Sequence, residues 1–265
     1  MHILALPSAG RGRRLAGGTS ARVVAARTLA VGGVVAYNWW VVVPFVPGLM
    51  PSVNGFFSDL EATGRPHAGL MSDADIVAGV LLTTALLLRG PMVAGRPRRE
   101  WKWMVAFAVA GAVGGRFPYA CSEGLSATCR QMEWRLQLPV HHYIHVASGI
   151  AEFATLTVAA LIAMRRTQRS GAPIARLYSA LVKVLVVGYP LLGLVYLSDR
   201  LGTFVEPIFF VVFSVMVMAE VFEANGGDGE PGRAGRSWAE WVHEREATHH
   251  DRRWVGTGLS ERADR

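Results

Sequence analysis

Tyr143-Ile-His-Val-Ala-Ser-Gly-Ile-Ala-Glu-Phe-Ala-Thr-Leu-Thr-Val-Ala-Ala-Leu-Ile-Ala-Met164 is an apolar run interrupted by a single acid. About 20 apolar residues are what a helix needs to cross a bilayer. Five comparable runs accompany it, over residues 29–46, 75–93, 103–119, 177–197 and 203–222. A soluble 265-residue chain would expose too much of this surface to water. The reading is an all-α integral membrane bundle of six transmembrane helices. Residues 25–223 form the membrane domain, residues 1–24 an N-terminal cytoplasmic tail and residues 224–265 a cytoplasmic tail with a short amphipathic helix.

Arginine orients the runs. Arg11, Arg13, Arg14, Arg22 and Arg27 precede the first. Arg89, Arg96, Arg98, Arg99 and Lys102 lie between the second and third, and Arg165, Arg166, Arg169 and Arg176 between the fourth and fifth. The alternate connections carry fewer cations. Positive charge stays cytoplasmic, so both termini are expected inside and the sparse loops outside. The net charge of +7 is accounted for by topology, and no nucleic-acid partner is called for. No cleavable signal peptide is evident, and the first run reads as an uncleaved crossing. Tyr37, Trp39, Trp40, Trp101, Trp103 and Tyr196 are expected at the membrane–water boundary.

Cys121 and Cys129 are the only cysteines and share one outside loop. In an oxidising compartment they most simply form a structural disulfide. A redox-active pair is the sharper reading, although the spacing is not Cys-x-x-Cys.

The fourth run carries the candidate site. His141, His145, Ser148, Glu152 and Thr155 advance by +4, +3, +4 and +3. At about 100° per residue they fall in a stripe roughly 80° wide. A polar stripe on an apolar helix should face the bundle interior or a water-filled cavity, and intramembrane ionisable groups are functional candidates. Asn38 on the first run and Glu206 at the start of the sixth are expected to line the same outward-facing pocket. His142, between the two imidazoles, points away from the stripe. His141 and His145 can present two nitrogens to one zinc ion. The further ligand would come from His67, Asp59, Asp73, Asp75, Asp199 or Glu206. The plainer reading has the histidines hydrogen-bonding loop backbone. Gly111 and Gly115 make a small-xxx-small pair suited to close helix packing.

The stretch Gly55-Phe-Phe-Ser-Asp-Leu-Glu-Ala-Thr-Gly64, then Ser72-Asp-Ala-Asp75, resembles the bacterial membrane family called domain of unknown function 998. So does Cys121 to Cys129 followed by His141-His-Tyr-Ile-His-Val-Ala-Ser-Gly149. The resemblance covers about residues 25–223. It implies a bacterial multi-pass plasma-membrane protein without an established activity, and it supplies no catalytic residues. The seven-helix zinc hydrolases of the ceramidase and adiponectin-receptor type offer only an analogy, since their histidine pair lies on the last helix.

Three functions compete. In the first, an outer cavity binds or moves a lipid or small polar molecule. In the second, a zinc-dependent hydrolase uses His141 and His145. In the third, a non-catalytic accessory protein of the cell envelope buries the stripe as glue between helices. The first needs an open cavity, the second a converging third ligand, the third a closed seam. Membrane lipids are partners in every case.

Overall fold

The computed structural model describes residues 12–50, 55–93, 96–198 and 201–223, with side chains from residue 21 onward. The tail helix expected after residue 224 lies outside the described residues. Seven α-helices follow in order: α1 Gly12–Tyr37, α2 Ala68–Arg89, α3 Trp101–Arg116, α4 Ala127–Trp134, α5 Val140–Ser170, α6 Ala175–Ser198 and α7 Gly202–Phe222. Short 3-10 helices occupy Trp39–Phe45 and Ser58–Glu61. Met92–Val93 pairs antiparallel with Arg96–Pro97 as a small hairpin.

Four helices (α2, α5, α6 and α7) are long and apolar enough to cross a membrane. The first run would make a fifth, but it is not one straight helix. It breaks by 40° after Tyr37, where Asn38 leaves helical geometry and the chain continues as a 3-10 helix containing Pro44. Proline lacks the amide hydrogen an α-helix would use there. Helix α1 also begins at Gly12, well inside the stretch read as a tail. The third run yields 16 helical residues, about 24 Å long, somewhat under the usual span. The fourth run extends to 31 residues and overshoots the bilayer at its arginine-rich end.

The six long helices neighbour one another in a ring: α1 on α2, α2 on α3, α3 on α5, α5 on α6, α6 on α7 and α7 back on α1. The ring is filled by alanine, leucine and aromatic side chains, with Tyr37, Phe107, Phe209, Phe213, Met104 and Tyr178 among those buried. Tyr37 meets Phe107, Phe210 and Phe213 in ring-to-ring contacts. The expected boundary position does not hold for this end of the first run. The Trp39 and Trp40 indoles also turn inward, donating to Asp75 at 2.9 Å and to the Asn38 side chain at 3.0 Å.

Small residues let α2, α3 and α5 approach closely. A β-carbon on Gly79 would lie 2.6 Å from the Ala112 backbone nitrogen and 2.7 Å from the Ala108 carbonyl oxygen. One on Gly115 would lie 2.6 Å from the Ser72 carbonyl, and one on Gly111 would overlap the Glu152 carboxylate. The small-residue pair on α3 is thus a packing surface for two helices at once.

The arginine-rich loops gather at one end of the ring. Arg22 donates to the Leu88 carbonyl at 2.6 Å, and Arg89 to that of Val221 at 3.1 Å. Arg98 pairs with Glu220 while also donating to its carbonyl at 2.7 Å. Arg166 forks onto Glu223 at 2.8 and 2.6 Å and reaches Glu100 at 2.6 Å. Arginine suits this role because its planar fork satisfies carboxylates and helix-terminal carbonyls together. These arginines tie α3, α5 and α7 together.

Candidate functional site

At the opposite end, Cys121 and Cys129 are joined in a disulfide with Cα atoms 6.1 Å apart. The bond links the loop after α3 to the first turn of α4, whose N-cap Ser126 accepts from the Cys129 amide at 3.2 Å. Tyr119, next to this loop, anchors it to the preceding one: its carbonyl accepts the Thr63 amide at 2.9 Å and the Thr63 hydroxyl at 3.0 Å.

The stripe on α5 is distributed among several partners and does not line one open pocket. His145 is buried, its Nδ1 donating to the carbonyls of Gly114 at 3.0 Å and Phe117 at 3.1 Å. The imidazole thus adds a donor at the C-terminal end of α3, where the Gly114 carbonyl also accepts the Phe117 amide at 3.0 Å. Its ring also lies 3.9 Å from that of Tyr119. Ser148 and Thr155 return their hydroxyls to their own helix, at 2.7 Å from Ile144 and Ala151 carbonyls. Asn38 bonds Ser214 on α7 at 2.7 Å and Val34 at 2.8 Å. Glu206 is buried and caps the Ser58–Glu61 3-10 helix, accepting from the Phe57 amide and, at 3.3 Å, from that of Ser58. Each of these groups has a structural partner.

The predicted zinc ligands do not converge either. His67 and Asp73 are exposed, Asp59 is buried against Ser122 at 2.8 Å and the Phe56 amide at 2.9 Å, and Asp199 lies outside the described residues. Lys183 on α6 is exposed and offers no buried cation to Glu152.

What remains is a set of carboxyl groups. Glu152 turns toward Gly111 of α3, which has no side chain in the way. Asp75 on α2, Tyr37, Gly79, Leu82, Phe107, Ala108, Gly111 and Glu152 enclose a cavity of about 10 Å³. That volume admits one water molecule at most. Asp75 accepts from the Trp39 indole and neighbours Glu61, which is 2 % exposed. The Ser72 hydroxyl lies 3.5 Å from Glu61. Burial, then the neighbouring charges of Asp75, Glu206 and Glu152, holds the Glu61 carboxyl well above the usual range. Asp75 and Glu152 thus face one cavity, with the buried Glu61 beside Asp75.

Sequence reasoning had placed Asp75 among metal ligands and passed over Glu61. The usable signal was the crowding of acids ahead of the second run (Asp59, Glu61, Asp73, Asp75), a loop otherwise without reason to be so acidic.

A ring of apolar helices closed at one end by arginines and at the other by a disulfide-bonded loop defines a multi-pass membrane protein. The family model "Protein of unknown function (DUF998)" matches residues 30–223, and the chain belongs to that family. No curated protein and no solved structure matches it.

Proposed function

We propose that the chain crosses the bacterial plasma membrane six times, with both termini cytoplasmic, and that it binds or moves a small polar molecule or lipid in exchange with protons held by Glu61, Asp75 and Glu152. The placing of Asp75 and Glu152 around one small closed cavity, with buried Glu61 beside Asp75, carries this reading. A carboxylate at bilayer depth is expensive, and chains of acids there serve as proton relays in pumps and transporters. Asp75 and Glu152 belong to two helices that each pack on α3, so movement at the glycine-lined crossings would open the 10 Å³ cavity to one side.

The closure of that cavity also favours a second reading, an accessory protein of the cell envelope whose acids are interhelical glue. Hydrolysis through His141 and His145 has less support, because His145 is spent on the carbonyls of α3.

Infrared spectroscopy of the purified protein separates proton storage from glue. At neutral pH the wild type is expected to show the carbonyl stretch of a neutral carboxylic acid, diminished in Glu61→Gln and in Asp75→Asn, and fading as pH rises. The sign follows from Glu61: a carboxyl raised by burial is neutral in the folded state and loses its proton only above the usual range. A site that holds no neutral acid at pH 7 would sink the proposal.

A further inference from the structure

His142, read from the helical wheel as pointing away from the stripe, is fully buried. Its ring faces two carboxylates: Glu123 in the disulfide loop and Glu133 near the end of α4. Nε2 lies 3.6 Å from Glu123 Oε1 and 3.9 Å from Glu133 Oε2. Both separations are too long for hydrogen bonds. The Nε2 atom and Glu133 Oε2 are buried without a hydrogen-bond partner. One ligand atom from each of the three residues lies within 4.8 Å of the other two, the one such group among the described residues.

We propose that Glu123, Glu133 and His142 form a divalent-cation site suited to zinc, on the disulfide-bearing face of the protein. Around a tetrahedral zinc with bonds of about 2.0–2.2 Å, ligand atoms sit roughly 3.3–3.6 Å apart. The two separations to the imidazole need a contraction of only a few tenths of an ångström, and all three ligand atoms lie within 4.8 Å of one another. One imidazole and two carboxylates give zinc three protein ligands and leave a fourth position for water. The cation would also relieve the repulsion between two adjacent acids and give the orphaned atoms a partner.

The surrounding groups fit a ligand-holding role. The Tyr196 hydroxyl on α6 lies 2.7 Å from Glu123 Oε2 and 3.1 Å from Glu133 Oε1, the oxygens turned away from the imidazole, and so orients both carboxylates. Arg130, the nearest cation on α4, donates to the Tyr196 carbonyl and lies over its ring, 5.6 Å from the centroid. Cys121 stands two residues before Glu123, and Cys129 four residues, about one helical turn, before Glu133. The disulfide therefore sets the spacing between the two acids. Binding has one cost: the Ala120 amide donates to His142 Nδ1 at 3.3 Å, and metal on Nε2 moves the ring proton to Nδ1, so this long contact is given up. The site does not depend on the Glu61–Asp75 reading.

The test is zinc titration of the full-length protein in detergent against a competing fluorescent chelator, with bound metal counted by elemental analysis. Tail residues His243, His249 and His250 are replaced by alanine in every sample, so that they bind nothing. One zinc per chain is expected, raising the melting temperature. Glu133→Gln and His142→Ala should each weaken binding at least tenfold. Tyr196→Phe, which leaves all three ligands in place, should weaken it about tenfold or more through their orientation. Reduction of the disulfide should weaken it as well, and His141→Ala should not change it. Absence of stoichiometric zinc in the parent protein overturns the proposal. So does zinc retained in the Glu123→Gln/Glu133→Gln double variant, a pair of substitutions close to isosteric and the safeguard should His142→Ala fail to fold.

Discussion

Arg98→Ala is expected to destabilise the folded bundle by about 3–5 kcal/mol, the cost of stranding a buried charge. The Arg98 side chain is 1 % exposed and that of Glu220 is 0 % exposed. Glu220 also accepts from the Tyr178 hydroxyl at 3.2 Å, and the Arg98 Nε lies 3.8 Å from Glu100. Removing the guanidinium leaves the buried Glu220 carboxylate with the Tyr178 hydroxyl but no cation, and the Glu220 carbonyl without its side-chain donor. The pair itself is worth much less than this number, because Arg98 Nη1 has no hydrogen-bond partner and desolvating both ions is costly. Replacing Arg98 and Glu220 together by methionine and leucine should therefore restore most of the loss. Arg166→Ala should cost less than Arg98→Ala, since Arg166 is 24 % exposed at its side chain and water can take over. Thermal or denaturant unfolding in detergent reads all four proteins. A loss under about 1 kcal/mol for Arg98→Ala would show that the network is decorative.

Gly79→Val should be nearly as damaging, by a different route. The new β-carbon meets backbone, not a flexible side-chain tip: the Ala112 nitrogen at 2.6 Å and the Ala108 carbonyl oxygen at 2.7 Å. Neither can move unless α2 and α3 separate along their crossing. Overpacking of this kind costs about 1–3 kcal/mol, and more where backbone must shift. Gly79 also lines the cavity shared by Asp75 and Glu152, so the substitution should alter the carboxyl signal along with stability. Gly149→Ala on α5 is the control: a β-carbon there has nothing within 4 Å. Equal melting temperatures for Gly79→Val and wild type would mean the helices are not packed at this distance.

The membrane character of the chain was legible because it rests on additive properties: run length, hydropathy and the placement of arginine. The disulfide was legible because only two cysteines exist. The candidate site was legible only in part. A helical wheel reports which residues share a face of one helix, and it says nothing of what stands opposite. Glu152 faced inward as expected, toward a glycine on α3. His145 was claimed by carbonyls at the end of a helix whose termination at Arg116 no apolar count could reveal. His142 pointed away from the stripe, as read, but what lies in that direction is a short helix and loop folded back by the disulfide. The break at Asn38 was also beyond a hydropathy reading. The run contains Pro44, yet the bend comes six residues earlier, where Asn38 is bonded to α7.

Proton exchange through Glu61, Asp75 and Glu152 is the function proposed for this bundle. Its most direct test is proton entry into proteoliposomes carrying an internal pH dye, under an imposed pH gradient and with potassium and valinomycin fixing the potential. Wild-type vesicles are predicted to acidify faster than protein-free vesicles, and faster than vesicles holding equal amounts of folded Asp75→Asn/Glu152→Gln protein. Identical rates in wild type and variant would contradict the claim and leave the acids as interhelical glue.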